Sequence, residues 1–428
     1  MARLASVKDR LGRSRAAFAR HAEQKRALER TASARSRYGL DWANFFMSDV
    51  QVGFGSFVAF YLAGLGWPQE RVGLVLAIGR IVGVISLAPG GALTDVIRWK
   101  RGLAAAAILA IATAALILAL YPSFAFVIAA EVLHGLTAGV LGPAIAAISL
   151  GLVGRRAMAS RVGRNHRFNA AGNALTAGVM GVLGSYVATS AIFLAAAILT
   201  IPALVALGSI DANEIDYRRS RNAGVGEADA PQRILDLLKN RPLLWFAACI
   251  ALFQLADASL LPLVGEGVAH GEGQSSLIMS ALIVAPQILV ALLAPWVGYA
   301  SELWGRKPLL MAGFGIEIIR AALFAFAGGP VALILIQMLD GVSGAIVTVL
   351  TVVIITDLTT GTGRFNLARG SVGVLAGISA SVSTVVTGFV FRAVGPQIGF
   401  LGLAAIAAAA TILVALSLGE TKPSKYID

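Results

Sequence analysis

The sequence predicts an all-α membrane protein of twelve transmembrane helices, arranged as two pseudo-symmetric six-helix bundles. Three observations predict it. Hydrophobic residues fill 57% of the 428 positions and charged residues only 14%, against roughly 45–50% and about 25% in soluble domains. Apolar stretches near the length of about 20 residues that crosses a bilayer recur along the whole chain. The second half also repeats the polar punctuation of the first at an offset near 207 residues. The 47 glycines suit membrane helices. A lone cysteine, Cys249, in an apolar run excludes a disulfide framework and a multi-cysteine metal cluster. With four scattered histidines, neither zinc nor haem is expected, and no cofactor is implied.

In chain order, span 1 (38–64) is rich in aromatic residues and carries Asp49, and span 2 (71–94) carries Arg80 and closes on Gly91-Ala92-Leu93-Thr94-Asp95. Span 3 (102–120) follows Lys100-Arg101. Span 4 (124–150) follows the tight turn Tyr121-Pro122-Ser123 and holds Glu131 and His134. Span 5 (168–188) opens at Arg167-Phe168-Asn169, and span 6 (190–209) leads into a polar linker. Span 7 (243–264) carries Asp257. Span 8 (274–296) runs into Gly298-Tyr299-Ala300-Ser301-Glu302, then Arg306-Lys307. Span 9 (307–327) holds Glu317 and Arg320 and ends at Gly328-Gly329-Pro330. Span 10 (330–356) carries Asp340, span 11 (370–391) follows Arg364-Phe365-Asn366, and span 12 (396–418) completes the set. The implied domains are a basic segment 1–37, a bundle 38–209, a linker 210–242, a bundle 243–418 and a tail 419–428.

Orientation follows from lysine and arginine, which are retained on the cytoplasmic side. With the N terminus inside, the inner segments hold 31 of the 35 basic residues, the outer loops keep only Arg71 and Arg392, and Arg80 and Arg320 lie within spans. Both termini are therefore expected in the cytoplasm, with the protein in the bacterial inner (plasma) membrane. The net charge of +12 then reads as a topology signal, and nucleic acid is not an expected partner. Leu4, Val7, Leu11 and Phe18 are spaced so that the basic segment either lies as an amphipathic helix on an anionic leaflet or stays a disordered tail. No signal-peptide apolar region precedes span 1, and Asp9, Glu23 and Glu29 argue against a transit peptide.

The repeat is detailed. Residues 45–49 match 253–257, each segment ending in an intramembrane aspartate, and Glu131, His134 and Gly135 match Gln337, Asp340 and Gly341. Spans 2 and 8 both place an acid four residues after a glycine, with a basic pair soon after, and spans 5 and 11 both open on Arg-Phe-Asn. Two six-helix repeats joined by a polar linker are a transporter architecture, with a solute site near the midplane between them. At these residues the chain resembles the major facilitator superfamily, over about 38–418. The segment from Gly91 through Asp95 to Lys100 and Arg101 is similar to the family's G-x-L-x-D-x-x-x-x-[KR]-[KR] signature, and Gly298 through Glu302 to Arg306 and Lys307 is its second copy. Two departures stand out: Glu131 occupies the position where many proton-driven exporters carry an arginine, and Gly172, Gly178, Gly181 and Gly184 lack the proline of the antiporter motif in span 5.

Ionised groups in hydrocarbon are costly unless they face a cavity or a partner, so the few intramembrane charges are the candidate site. Asp49 and Arg80 both fall near the midplane, about 17 Å and about 14 Å from the ends of their helices at 1.5 Å per residue, where a direct pair would be open to competition from an anion or a proton. A purely structural pair is the alternative. Asp257 and Asp340 have no basic residue in their own helix and read as reversible proton sites. The family resemblance places spans 1, 4, 7 and 10 around the central cavity, so that Asp49, Glu131, Asp257 and Asp340 would share it. Glu131 and His134, three apart, form a hydrogen-bonding or proton-relay pair or a structural one; a metal is not expected, since no second Glu-x-x-His exists. Glu317 and Arg320 neutralise each other on a helix that the family makes peripheral. Aromatic residues such as Trp42, Phe45, Trp245 and Phe253 either stack on a solute or pack as core and lipid contacts.

The expected function is secondary active transport of a small organic solute by alternating access, coupled to protons, with export the leading direction. Four cavity acids against one base favour a cationic or neutral polar solute. An uptake symporter for an anion held by Arg80, and a lipid flippase, are the alternatives. The absence of a Walker motif argues against ATP as the energy source, and no nucleophile–base constellation suggests an enzyme. The expected partners are the solute, protons and membrane lipids, with the protein working as a monomer. A cytoplasmic gate is expected from Gly91, Asp95, Lys100, Arg101, Arg167, Gly298, Glu302, Arg306, Lys307 and Arg364. Free N–H groups and the helix dipole stabilise an acid at a helix start. The family packs span 2 on span 11 and span 8 on span 5, so Asp95 is expected at the Arg364 end of span 11 and Glu302 at the Arg167 end of span 5.

Overall fold

The computed structural model describes residues 32–52, 56–186, 189–224, 234–237, 239–269 and 275–422. Most of the basic N-terminal segment lies outside the described residues. The helices are α1 (Ala34–Val52), α2 (Ser56–Gly64), α3 (Gln69–Val96), α4 (Lys100–Leu120), α5 (Phe124–Val153), α6 (Met158–Tyr186), α7 (Thr189–Gly208), α8 (Arg241–Asp257), α9 (Leu260–Ala269), α10 (Ser275–Trp304), α11 (Arg306–Phe324), α12 (Pro330–Leu358), α13 (Phe365–Val394) and α14 (Pro396–Ser417). Helices α1 and α2 make span 1, α8 and α9 make span 7, and each of the other ten helices is one span. Among the described residues no extended strand forms.

Local chemistry explains the helix ends. Pro242, Pro330 and Pro396 sit in the first turn, where a missing N–H costs nothing. The Asn240 side chain accepts from Leu243 N at 3.2 Å and so caps α8. The Glu420 carboxylate, from after α14, accepts from Arg306 N at 2.8 Å and Lys307 N at 3.2 Å, capping α11 from outside the helix.

Nine helical spans among the described residues are long and apolar enough to cross a membrane. The other three are α1–α2, α6 and α11, and each buries polar groups in its helix interface: Asp41 and Asn44; Arg161 and Asn165; Glu317 and Arg320. The same cause moves helix boundaries away from the apolar runs. Helix α6 starts at Met158, ten residues before span 5 was expected to, and α13 starts at Phe365 instead of 370. Exposed Leu109, Leu116, Ile198, Val205, Ile412 and Leu416 on α4, α7 and α14 form part of a lipid-facing belt.

The halves meet most tightly at the end where the linker runs. One apolar cluster joins Ala146, Leu150, Met158 and Val162 of the first half to Leu350, Val353 and Leu367 of the second. Helix α3 packs on α13 and α6 on α10. At Gly91 a Cβ would collide with the Asn366 carbonyl, at Gly370 with that of Leu87, at Gly163 with that of Ala294 and at Gly298 with that of Ala159. Glycine at these four positions lets the backbones of the two halves touch.

Candidate functional site: buried charges and the cavity between the halves

In the second half, four charged groups from three helices converge. The Arg320 guanidinium donates through Nη1 to Asp257 at 2.7 Å, to both Glu317 oxygens at 2.9 and 3.0 Å, and to Asp340 at 2.8 Å. Close packing of α11 on α12 makes this reach possible: Ser343 Oγ donates to the Gly313 carbonyl at 3.0 Å, two helical turns from Arg320. Arg320 and Glu317 are buried at 1% and 0% side-chain exposure, whereas Asp257 and Asp340 keep 25% and 33%. The cluster thus has a closed back and an open front. This corrects the expectation that Asp257 and Asp340 stand without a base and that Glu317 and Arg320 form a self-contained pair. Helical spacing relates only residues on one helix, and the decisive contacts cross between helices. Carboxylate oxygens of Asp257, Glu317 and Asp340 lie within 4.8 Å of one another, a spacing that fits a hard cation. The Arg320 guanidinium already contacts all three. Asp257 ends α8, and within the break at 258–259 the Ser259 hydroxyl joins those of Ser383 and Thr387 on α13.

The first half differs. Glu131 is buried, its Oε1 has no hydrogen-bond partner among the described residues, and its carboxylate occupies the space a Cβ on Gly79 of α3 would need. His134 is half-buried one turn further on, and Arg80 is exposed on α3. Asp49 belongs to α1, but its side chain lies outside the described residues, as do those of Phe54, Phe57 and Phe60. In span 7, Phe246 and Phe253 are core residues, Phe253 packing 4.7 Å from the Phe314 ring, while Trp245 is exposed.

At the linker end, Asp95 is fully buried. It accepts from Asn366 N at 3.1 Å, Asn366 Nδ2 at 2.8 Å and Leu367 N at 2.9 Å. The two backbone donors are free N–H groups of the first turn of α13, so a carboxylate from one half caps a helix of the other. Gly91, one turn earlier on α3, permits the approach. The linker closes over this contact: the Ser220 carbonyl accepts from Asn366 Nδ2 at 3.2 Å, and the Asn222 carbonyl from Gly361 N at 3.0 Å. Lys100 Nζ donates to the Thr94 carbonyl and lies 5.1 Å from the centre of the Tyr217 ring, while Arg101 donates to the Ile210 carbonyl. Arg364 N donates to Thr362 Oγ1 at 3.1 Å.

The second copy behaves otherwise. Glu302 accepts from Arg306 Nη2 at 2.6 Å, Arg306 Nε also donates to Asp357 at 3.2 Å, and Lys307 Nζ donates to the Ala415 carbonyl at 2.7 Å, all within the second half. Arg167 donates to the Ala291 carbonyl at 3.3 Å and does not carry Glu302. Because α6 starts at Met158, Arg167 lies more than two turns inside the helix and cannot mark its start. Gly298 meets α6 at Ala159 instead.

Sequence reasoning missed a second set of charges, because 151–167 and 364–369 were counted as loops. Asp41 on α1 is fully buried and holds two arginines of α6, Arg161 at Nη2 and Arg164 at 2.9 Å from Nε. Arg161 Nε also donates to Asn165 at 2.7 Å, and Asn165 to Ser149 at 2.8 Å. Beside this network lies a cavity of about 140 Å³ between the halves, whose lining includes Asn44, Gly142, His166, Asn169, Val352 and Arg369. Four residues separate Arg161 from Asn165, and three separate Arg369 from Asn366. That helical periodicity across supposed loops was the available signal.

The description "Major Facilitator Superfamily" belongs to the family model that matches residues 40–282 and 247–427. An uncharacterised MFS-type transporter of Mycobacterium tuberculosis, found in two strains, is 34% identical over 390 residues, 90% of this chain and 93% of that protein. The fold is also similar to the crystal structure of the human organic anion transporter MFSD10 (TETRAN), with a TM-score of 0.65 at 16% identity over 90% of this chain and 99% of that one. With two overlapping family matches, a relative aligned along nearly its whole length and the same helical architecture, the chain belongs to the Major Facilitator Superfamily, as an integral membrane protein of the secondary-transporter kind that carries a small-molecule solute.

Proposed function

We propose that this protein moves a small organic solute across a bacterial inner membrane by alternating access, coupled to protons through Asp257, Glu317, Arg320 and Asp340. The observation that carries the reading is one guanidinium among three carboxylates, two of them partly exposed. Fully ionised, the cluster has two negative charges in excess, and like charges this close favour sharing a proton. A proton entering at the open front, on Asp257 or Asp340, loosens its bond to Arg320 and so the contact between α8, α11 and α12. Loss of the proton restores it. The cluster therefore ties protonation to helix packing, which is what coupling requires.

With both termini in the cytoplasm, as the basic residues argue, the tight linker end is the cytoplasmic one. The Asp95 cap on α13 and the glycine contacts then hold that side closed, and their release is the inward-opening step. Each chain contains both bundles and the cavity between them, so a monomer is sufficient. The test begins with a thermal-shift screen of purified protein against metabolites, siderophores, drugs and metal chelates at two pH values. A stabilising compound should accumulate in proteoliposomes under an imposed pH gradient and stop doing so when a protonophore collapses it. Accumulation indifferent to the protonophore would contradict proton coupling.

A further inference from the structure

We infer that the cavity between the halves is a binding site for a small organic carboxylate, with the Arg369 guanidinium as its anchor. Arg369 lies in the second turn of α13, and its Nη1 is buried with no hydrogen-bond partner among the described residues. The guanidinium lies against Gly142 of α5, where a Cβ would stand 3.3 Å from Nη1. A half-buried guanidinium with one buried, unmet donor is costly, and an anion in the adjoining cavity supplies both the countercharge and the acceptor. Among the described residues, no carboxylate lines the cavity. Asp41, on the same helix as the lining residues Asn44 and Met47, is already held by Arg161 and Arg164.

Size and lining narrow the ligand. A cavity of about 140 Å³ is close to one that accepts a benzene ring, roughly 150 Å³. Met47, Leu141, Ile145 and Val352 give it an apolar wall, while Asn44, Asn169 and His166 add polar groups near Arg369. One fork-shaped donor and an apolar wall suit a planar monovalent carboxylate on a short apolar body. Phosphate, with more charge and no apolar part, leaves the wall unused. This also reverses the solute charge expected from the sequence: Arg320 offsets part of the acidic surplus in the second half, and the cavity itself is basic. The site takes its purpose from the transport reading above.

The test is equilibrium binding to the purified full-length protein in nanodiscs, using benzoate and butyrate, their neutral partners benzamide and butyramide, and inorganic phosphate. The carboxylates should bind at least tenfold tighter than the amides and tighter than phosphate. Arg369→Gln should lose at least tenfold in benzoate affinity, and Arg369→Lys, which keeps the charge but not the fork, should fall between. The wild-type comparison of acid with amide needs no variant, so it stands even if a variant fails to fold. Equal binding of acid and amide, preference for phosphate, failure of both carboxylates to bind, or full affinity in Arg369→Gln would each overturn the assignment. Binding needs no gradient. Benzoate affinity unchanged in Asp340→Asn, with accumulation lost, supports both readings; intact binding with protonophore-insensitive accumulation overturns only the coupling, and coupled transport of another solute without carboxylate binding overturns only the site.

Discussion

Arg320 is the residue on which the second half turns. Its side chain is 1% exposed and bonds three acids, so its loss leaves carboxylates buried without their countercharge. Breaking one side of such a pair costs about 3–5 kcal/mol, whereas removing both sides costs much less. Arg320→Gln should therefore lower the unfolding midpoint in detergent markedly, and Arg320→Gln/Glu317→Gln should recover part of the loss, because Glu317 is the acid with no solvent access. Additive losses in thermal unfolding would show that the pair is not coupled. Of this site the sequence displays only the i,i+3 relation of Glu317 and Arg320. Asp257 lies 63 residues from Arg320 and Asp340 20 residues from it, on other helices, and hydropathy says nothing of which face each helix turns inward. Arg369 was hidden for a related reason: at the edge of an apolar run, an arginine turned toward a cavity and a topology anchor look alike.

At the scale of helices, α13 and α11 both receive their N-terminal caps from elsewhere in the chain, from Asp95 and Glu420. The two contacts do different work. Glu420 ties the tail to its own half, whereas Asp95 joins the two halves. Losing a cap costs about 1 kcal/mol, up to about 2, and each 1.4 kcal/mol is tenfold in an equilibrium. Asp95→Ala should thus shift the balance between closed and open linker ends by roughly fivefold to twenty-five-fold toward open. Double electron–electron resonance between spin labels on the linker ends of α3 and α13 reads this directly, and Cys249, being buried, offers little background labelling. Glu302→Ala should leave the distance distribution nearly unchanged, since Glu302 bonds Arg306 in its own half. Equal effects of the two substitutions would contradict the distinction. The Asp95 contact could be reasoned from the repeat and the chemistry of helix starts. The matching argument for Glu302 failed because ten helical residues before 168 are polar enough to read as loop, although Arg161 and Asn165 are buried there against Asp41 and Ser149.

Across the whole molecule, charge gathers in two places: the cavity between the halves where α5, α6 and α13 meet, lined by Arg369, and the acidic cluster of the second half between α8, α11 and α12. Helix α13 links the functions, since it carries Arg369 one turn beyond the residues that Asp95 caps. On the proposed reading, a ligand on Arg369 acts on the helix whose start is released when the linker end opens. The twelve spans and the two-fold repeat were legible in the sequence because a bilayer imposes length and apolarity on every span. What was illegible is what the bilayer does not touch, namely polar groups that satisfy one another between helices. The most direct measurement of the central claim compares gradient-driven accumulation with exchange in proteoliposomes for wild type, Asp257→Asn and Asp340→Asn. The account predicts that at least one substitution abolishes accumulation under a pH gradient while solute exchange persists; gradient-driven flux unchanged in both would contradict it.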